Sequence, residues 1–127
     1  SASETARTRA LEVWFANQPK RAASLDRDLT HPLLRELERR RAIRRIRALR
    51  TLWSGYDTAL EKPELRAVLE RQHKTNDPDQ LKRRMLLKAV REDAYVASWL
   101  TRRQGALTEG TVYEIITTYA ALDAGSQ

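Results

Sequence analysis

The chain has 127 residues, of which 41% are hydrophobic and 32% charged, so it can bury a hydrophobic core and is neither a disordered acidic chain nor a collagen-like repeat. It contains no cysteine, which excludes disulfides, thiolate metal sites and cysteine nucleophiles. Residues 1–15 lack the apolar centre of a signal peptide, and no apolar run approaches the roughly 20 residues of a membrane span. We therefore expect a cytoplasmic protein.

The net charge of +7 is concentrated in one segment. Residues 35–50 contain eight arginines and two glutamates, whereas the other 111 residues contain 16 basic and 15 acidic side chains. A concentrated positive charge is stronger evidence for an acidic partner than a diffuse one. This segment therefore dominates the functional interpretation.

The spacing of apolar residues predicts two helices in the first half of the chain. The first extends to about Ala16. The second is long, begins with Pro32 in its first turn and ends at about Trp53. Ser54-Gly55 is the natural break, although the helix could continue through it to Tyr56.

Two further helices are predicted on either side of a polar loop. The first covers about 63–73. The sequence DPDQ then matches a capping box, in which the carboxylate of Asp77 accepts hydrogen bonds from first-turn amides and Gln80 reaches back to the amide of the cap. We predict one uninterrupted helix from Pro78 to about Arg103.

The last helix is predicted between Thr108, as its cap, and the C-terminus. Gly105 is the expected stop of the preceding helix. Valine and isoleucine occur at helical rather than alternating spacing, so no strand is predicted. The sequence therefore predicts an all-α fold, a compact bundle of about five helices without a sheet, in a single domain of residues 1–127.

The arginine-rich segment forms one face of the long helix. At about 100° per residue, Ala42, Ile46 and Leu49 fall on one side, and most of the arginines fall opposite. Arginines one turn apart repel each other, and few acids lie nearby, so phosphate is a favoured partner. We define the arginine ridge, predicted to face solvent and bind nucleic acid, as Arg39, Arg40, Arg41, Arg44, Arg47 and Arg50.

A second basic bank lies on the predicted helix that begins at Pro78. We define it as Lys82, Arg84, Lys88 and Arg91. The sequence has no aromatic RNP pair, GxxG loop or zinc-finger spacing, so we expect contact with the backbone rather than with base edges. The leading hypothesis is a non-enzymatic module that binds the phosphates of RNA or DNA, as a small subunit of a larger nucleoprotein complex with other protein subunits.

Three alternatives remain open at this point. The arginines could be neutralised by acids on later helices, or they could bind an acidic protein partner or an anionic membrane surface. The chain could also be a small basic nuclease or toxin that uses His73. The sequence has no glycine-rich phosphate loop, nucleophile elbow or metal-ligand spacing, so no catalytic residue, metal, cofactor or small-molecule substrate is predicted.

The segment RRQGALTEGTVYEII resembles the second half of a helix-turn-helix, which would imply that the last helix enters a DNA groove. It departs from that motif because Gly105 comes one position early and Arg102 replaces a small packing residue. The last helix also carries Glu109 and Glu114 and no basic residue, which disfavours contact with phosphates. A capped core helix is the preferred interpretation.

Overall fold

The structure, a computed structural model, describes residues 2–16 and 32–122, and this part of the chain contains six helices and no strand. The all-α class is confirmed, with six helices rather than about five. Among the described residues, those up to Arg44 together with Leu122 form one unit, and Arg45–Ala121 form a second. The helices are α1 (Ala2–Ala16), α2 (Pro32–Leu60), α3 (Pro63–His73), α4 (Pro78–Glu92), α5 (Ala94–Gln104) and α6 (Val112–Ala120).

Helix α2 is longer than predicted, because Ser54-Gly55 does not end it. The helix continues to Leu60. Gly55 does not have a positive φ and lies within the helix with no atom near the position of a β carbon. A glycine at such a position weakens a helix by about 1 kcal/mol without stopping it.

The predicted helix from Pro78 to about Arg103 is divided at Asp93, so that prediction is wrong. The backbone of Asp93 leaves the helical region (φ −95°, ψ 89°), and its carboxylate accepts from the amide of Val96 at 3.2 Å and caps α5. The same carboxylate accepts from Nε of Arg45 at 3.0 and 3.2 Å. Aspartate favours caps over helix interiors, and here an ion pair with α2 holds it in that role.

One of the two contacts of the predicted capping box is present at the start of α4. The carboxylate of Asp77 accepts from the amide of Asp79 at 3.2 Å, as predicted. Gln80 does not reach back, so that half is wrong: the amide of Asp77 donates to the hydroxyl of Thr75 at 3.2 Å instead. The side chain of Gln80 accepts from that hydroxyl at 2.6 Å and donates to Glu109 at 2.9 Å. Gln80 therefore bonds to Glu109, which is remote in sequence, rather than to the nearby amide of Asp77.

The end of α5 and the start of α6 differ in how well they were predicted. Gly105 ends α5 as expected, and its amide donates to the carbonyl of Thr101 at 2.9 Å. Thr108 is not the cap of α6, which begins at Val112; its carbonyl accepts from the amides of Thr111 and Val112 in a preceding turn. Seven residues, 105–111, separate the two helices, more than the roughly 3–4 of a helix-turn-helix.

Helix α6 lies against the core of the second unit. Val112 and Ile116 are completely buried, and the carboxylate of Glu114 accepts from both terminal nitrogens of Arg83, at 2.9 and 3.1 Å. Its one acidic side chain is thus bonded to α4, and α6 has no basic residue with which a recognition helix would contact phosphates.

Helix α4 is the central element of the second unit, where it contacts α3, α5 and α6. Fully burying a leucine or valine side chain contributes about 1.5–3 kcal/mol, so the buried apolar side chains dominate the stability of the second unit. Trp99 is part of this core. The buried apolar residues of the unit are Ile46, Leu49, Leu60, Leu81, Leu86, Leu87, Val90, Val96, Trp99, Leu100, Val112 and Ile116.

The two glycines predict opposite effects of the same substitution. Gly55→Ala should raise the free energy of unfolding by about 0.5–1 kcal/mol, because alanine favours the helix and meets no neighbouring atom. Gly105→Ala should lower it by about 1–3 kcal/mol, because φ 76° and ψ −158° suit glycine alone. Urea unfolding followed by circular dichroism measures both, and effects of the same sign would contradict these backbone assignments.

Candidate nucleic-acid interface

Arg40 lies inside the first unit, so the prediction that it faces solvent is wrong. Its side chain is 5% exposed, and its Nε donates to the carboxylate of Glu36 at 2.7 Å. Its Nη1 donates to the carbonyl of Glu4 at 3.4 Å and to the hydroxyl of Thr8 at 3.5 Å. Arg40 therefore links α2 to α1 and is not available to a phosphate.

The helical wheel failed at Arg40 because it assumed one apolar stripe along the whole of α2. Residues three apart on a helix share a face, and Leu37 and Ile43, on either side of Arg40, are both buried. Ile46 and Leu49 continue the same interval of three and are also buried. At about 100° per residue such a row drifts around the helix, so the buried residues of α2 do not form one straight apolar stripe, and they include Arg40.

Several other arginines of the ridge are bonded to groups of the chain. Nε of Arg41 lies 3.5 Å from a carboxylate oxygen of α1. Nε of Arg47 donates to the carbonyl of Ala120 at 3.1 Å. Nη2 of Arg50 donates to the hydroxyl of Tyr113 at 3.3 Å, and its guanidinium lies 5.2 Å from the centre of that ring. These contacts occupy donors of all three guanidinium groups, although among them only the contact of Arg41 is with an opposite charge.

Arg44 differs from the other members of the ridge. It is exposed, and within the described residues it has no hydrogen bond or ion pair. Arg39 is half-buried and does interact with another group of the chain. The structure therefore does not show the ridge as a continuous row of exposed, unpaired cations.

Lys82 is also engaged within the second unit. Its Nζ lies 3.1 Å from a carboxylate oxygen of Asp57 and 4.3 Å from the centre of the Trp53 ring. The side chain of Lys82 is 13% exposed. This member of the second basic bank serves to hold α4 against α2.

The other three members of that bank line a groove of about 360 Å³ between the C-terminal end of α3 and α4. Four cations and one carboxylate line it, which gives the lining a net charge of +3 when its histidine is neutral. We call it the basic groove. Its lining residues are Gln72, His73, Lys74, Arg84, Leu87, Lys88, Arg91 and Glu109.

One side of the basic groove is fixed by an ion pair. Nε of Arg84 donates to the carboxylate of Glu109 at 2.7 Å, and its Nη1 donates to the carbonyl of His73. The amide of Gln80 and the guanidinium of Arg84 both hold the pKa of Glu109 below its usual range, so the carboxylate is charged. Arg84 is thus neutralised and shapes the groove rather than supplying free charge to it.

The other cations of the basic groove are available to a ligand. Lys74 and Arg91 are exposed, and within the part of the chain that the structure describes neither side chain has a hydrogen bond or ion pair. Nζ of Lys88 lies 3.1 Å from a carboxylate oxygen of Glu92, one helical turn away. Both side chains are at least half exposed, and such pairs contribute only about 0.3–0.5 kcal/mol, which a phosphate can replace.

Lys74 occupies a backbone position that usually belongs to glycine. It ends α3 in the left-handed conformation (φ 55°, ψ 42°), and its amide donates to the carbonyl of Glu70. A β carbon in this conformation costs about 1–2 kcal/mol, which is why glycine is favoured there. The sequence places a lysine at the edge of the groove at some cost in stability, and strain of this kind is commonly found where a side chain has a function.

His73 contributes a half-buried imidazole to the basic groove. Burial first, and then the positive charges of Lys88 and Arg84, lower the pKa of His73 below its usual range. The ring is therefore neutral near pH 7 and can both donate and accept a hydrogen bond. Neither His73 nor Lys74 could be placed from the sequence, because the groove brings the end of α3 to a face of α4.

Among the residues that the structure describes, no three histidine, aspartate or glutamate side chains are grouped as a metal ion would require. Within the same ranges, every helix is too short or too polar to cross a membrane. No protein-family model matches the chain, and neither curated proteins nor solved structures show a significant similarity to it. The functional interpretation therefore rests on the basic groove and its exposed cations.

Arg40 and Arg44 lie one turn apart on α2 and predict different effects of the same change. Arg40→Ala should lower the free energy of unfolding by about 1.5–3 kcal/mol, because Glu36 and Thr8 lose a charged donor. Arg44→Ala should change it by less than about 0.5 kcal/mol, because the side chain is exposed and unpaired within the described residues. Urea unfolding tests both, and equal losses would disprove the burial of Arg40.

Proposed function

We propose that this protein is a non-enzymatic helical module that binds the phosphate backbone of RNA or DNA in the basic groove, as a small subunit of a larger nucleoprotein complex. The observation that supports this most is the exposure of Lys74 and Arg91 without partners among the described residues, beside a weakly paired Lys88. Unpaired cations gathered in a concave site attract a polyanion, and their counterions are released when it binds.

The spacing of the cations on α4 suits a chain of phosphates. Lys88 and Arg91 follow one another at an interval of three residues, which places them on one face of the helix. At 1.5 Å per residue they lie about 4.5 Å apart along the helix axis. One strand of a nucleic acid advances about 3.4 Å per phosphate along a duplex axis, so the two side chains match the spacing of neighbouring phosphates.

The arginine ridge has a smaller place in this proposal than the sequence suggested. Arg40 is buried, and Arg41, Arg47 and Arg50 have partners within the chain. Arg44 remains exposed and unpaired within the described residues. We therefore assign phosphate binding to the basic groove and treat Arg44 as the comparison position.

A helical protein-interaction module is the second candidate, and helix α3 favours it. No residue of α3 is buried, and its Leu65 and Val68, one turn apart, are 39% and 49% exposed. Adjacent exposed apolar side chains are a feature of surfaces that bind other proteins. This surface is distinct from the basic groove, so the two candidates are separable by substitution.

Two double variants that remove the same charge test the assignment. Lys74→Gln with Arg91→Gln should weaken binding of a labelled oligonucleotide at least about tenfold and reduce the slope of log affinity against log salt by about 1.5, since two phosphate contacts are lost. Arg35→Gln with Arg44→Gln should change the affinity less than about twofold, because these arginines are exposed, have no partner in residues 2–16 and 32–122, and lie outside the groove. Fluorescence anisotropy at two salt concentrations measures both.

The outcomes separate the candidates. A larger loss in the Arg35/Arg44 variant would move the interface to α2. Failure of the unmodified protein to bind any oligonucleotide at low salt would reject nucleic-acid binding. A partner captured from the host that is lost when Leu65 and Val68 are replaced by serine would then support the protein-interaction module.

The Lys74→Gly variant separates the effect of the lysine on stability from its contribution to nucleic-acid affinity. The variant should unfold with an unchanged free energy or one raised by up to about 1 kcal/mol, because glycine fits the left-handed conformation. Its affinity for oligonucleotides should fall about three- to tenfold, because one phosphate contact is lost. Urea unfolding and anisotropy give the two values, and reduced stability with full affinity would contradict the role given to Lys74.

A further inference from the structure

We infer that the basic groove holds one unpaired nucleotide, its phosphate among Lys74, Lys88 and Arg91 and its base against His73 and Leu87, so that the protein prefers single strands to duplexes. This inference rests on the proposed function and names the kind of nucleic acid. Its ligand chemistry is a phosphate joined to an unstacked base. That chemistry occurs both in a single strand and in a free nucleotide.

The size of the basic groove limits what can enter it. A volume of about 360 Å³ lies near the lower end of the roughly 300–1,000 Å³ that small-molecule sites occupy. A duplex presents its phosphates on a convex surface and resists bending over about 150 base pairs, so it can contact only the rim. A single strand is flexible and can turn one nucleotide into the groove.

The lining of the basic groove is more varied than phosphate binding requires. Leu87 is 7% exposed and provides an apolar surface, and His73 provides an aromatic ring. Gln72 is exposed and has no hydrogen bond within the described residues, so its amide is available to the edge of a base. Histidine rings stack on unpaired bases, and side-chain amides bond their edges.

The cations and the ring are close enough to bind parts of the same nucleotide. His73, Lys88 and Arg91 line the same groove, and Nη1 of Arg84 donates to the carbonyl of His73. Lys74 follows His73 directly in the chain and lines the groove with it. Lys74, Arg84, Lys88, Arg91 and Glu109 are thus the charged groups around a ring that stays neutral for stacking.

Few groups in the groove distinguish one base from another. One amide and one imidazole can bond a base edge, whereas stacking accepts any base. We therefore expect weak sequence preference. We also expect RNA and DNA strands to bind with similar affinity, since Gln72 is the one side-chain amide of the lining that could contact a 2′-hydroxyl.

The test compares a labelled 20-nucleotide single strand, its duplex and two competitors, all at low salt. The single strand should bind at least about fivefold more tightly than the duplex, the lower limit expected from stacking one base. His73→Ala should remove most of that preference and leave duplex affinity within about twofold, whereas His73→Phe, which keeps a stacking ring, should retain it. Gln72→Ala, at an exposed position, serves as a second variant whose folding is not at risk.

The competitors separate the sources of the ligand. Adenosine monophosphate should displace the strand better than inorganic phosphate, because it adds a base to the same charge. Equal displacement by the two would overturn contact with the base. Tighter binding of adenosine monophosphate than of the strand would assign the groove to a free nucleotide and overturn the preference for strands.

The remaining outcomes distinguish this inference from the function on which it rests. Equal or tighter binding of the duplex, lost in the Lys74→Gln and Arg91→Gln variant, would overturn the single-strand inference and leave the groove as a phosphate site. Absence of binding to both forms would overturn both. Unchanged preference in folded His73→Ala and Gln72→Ala variants would also overturn the placement of the base.

Discussion

The basic groove depends on one guanidinium. Arg84 donates to the last carbonyl of α3, that of His73, and to the carboxylate of Glu109 in the turn before α6. Three segments that are distant in the chain thereby meet at α4, and the pair is neutral as a whole. Because Arg84 and Glu109 cancel each other, the charge offered to a ligand comes chiefly from Lys74 and Arg91, whose side chains have no partner among the described residues. Within this cluster Arg84 maintains the fold, whereas Lys74 and Arg91 are the cations proposed to bind the ligand.

The same division explains why arginine density was a poor guide to the interface. A guanidinium has five donors and an aliphatic stem, so it can link helices through carbonyls, hydroxyls and rings as readily as it binds phosphate. Arg40, Arg47 and Arg50 are used in this way. A count of charges along a helix does not distinguish the two uses, since most partners of these arginines, apart from Glu36, come from elements far away in sequence. Exposure and pairing in the folded chain do distinguish them.

Features decided by neighbouring residues were predicted from the sequence, and features decided by distant residues were not. The bounds of α3, the cap at Asp77 and the stop at Gly105 follow from local spacing and backbone preference. The interruption at Asp93 was missed although its cap on α5 is local, because the apolar spacing continues from α4 into α5; the ion pair of Asp93 with Arg45 comes from α2, which is distant in sequence. The basic groove was half predicted. Three cations of α4 share a face by their spacing, but the part contributed by α3 required the tertiary arrangement.

Helix α3 forms one side of the basic groove without contributing any buried side chain. An element that contributes no fully buried side chain opens locally at a smaller free energy than the unit as a whole. Its backbone amides should therefore exchange with solvent hydrogen sooner than those of α4, whose Leu81, Leu86 and Val90 are completely buried. A ligand that bridges α3 and α4 would slow that exchange. Ligand binding would then make the groove itself more rigid, by joining α3 to the well-packed α4.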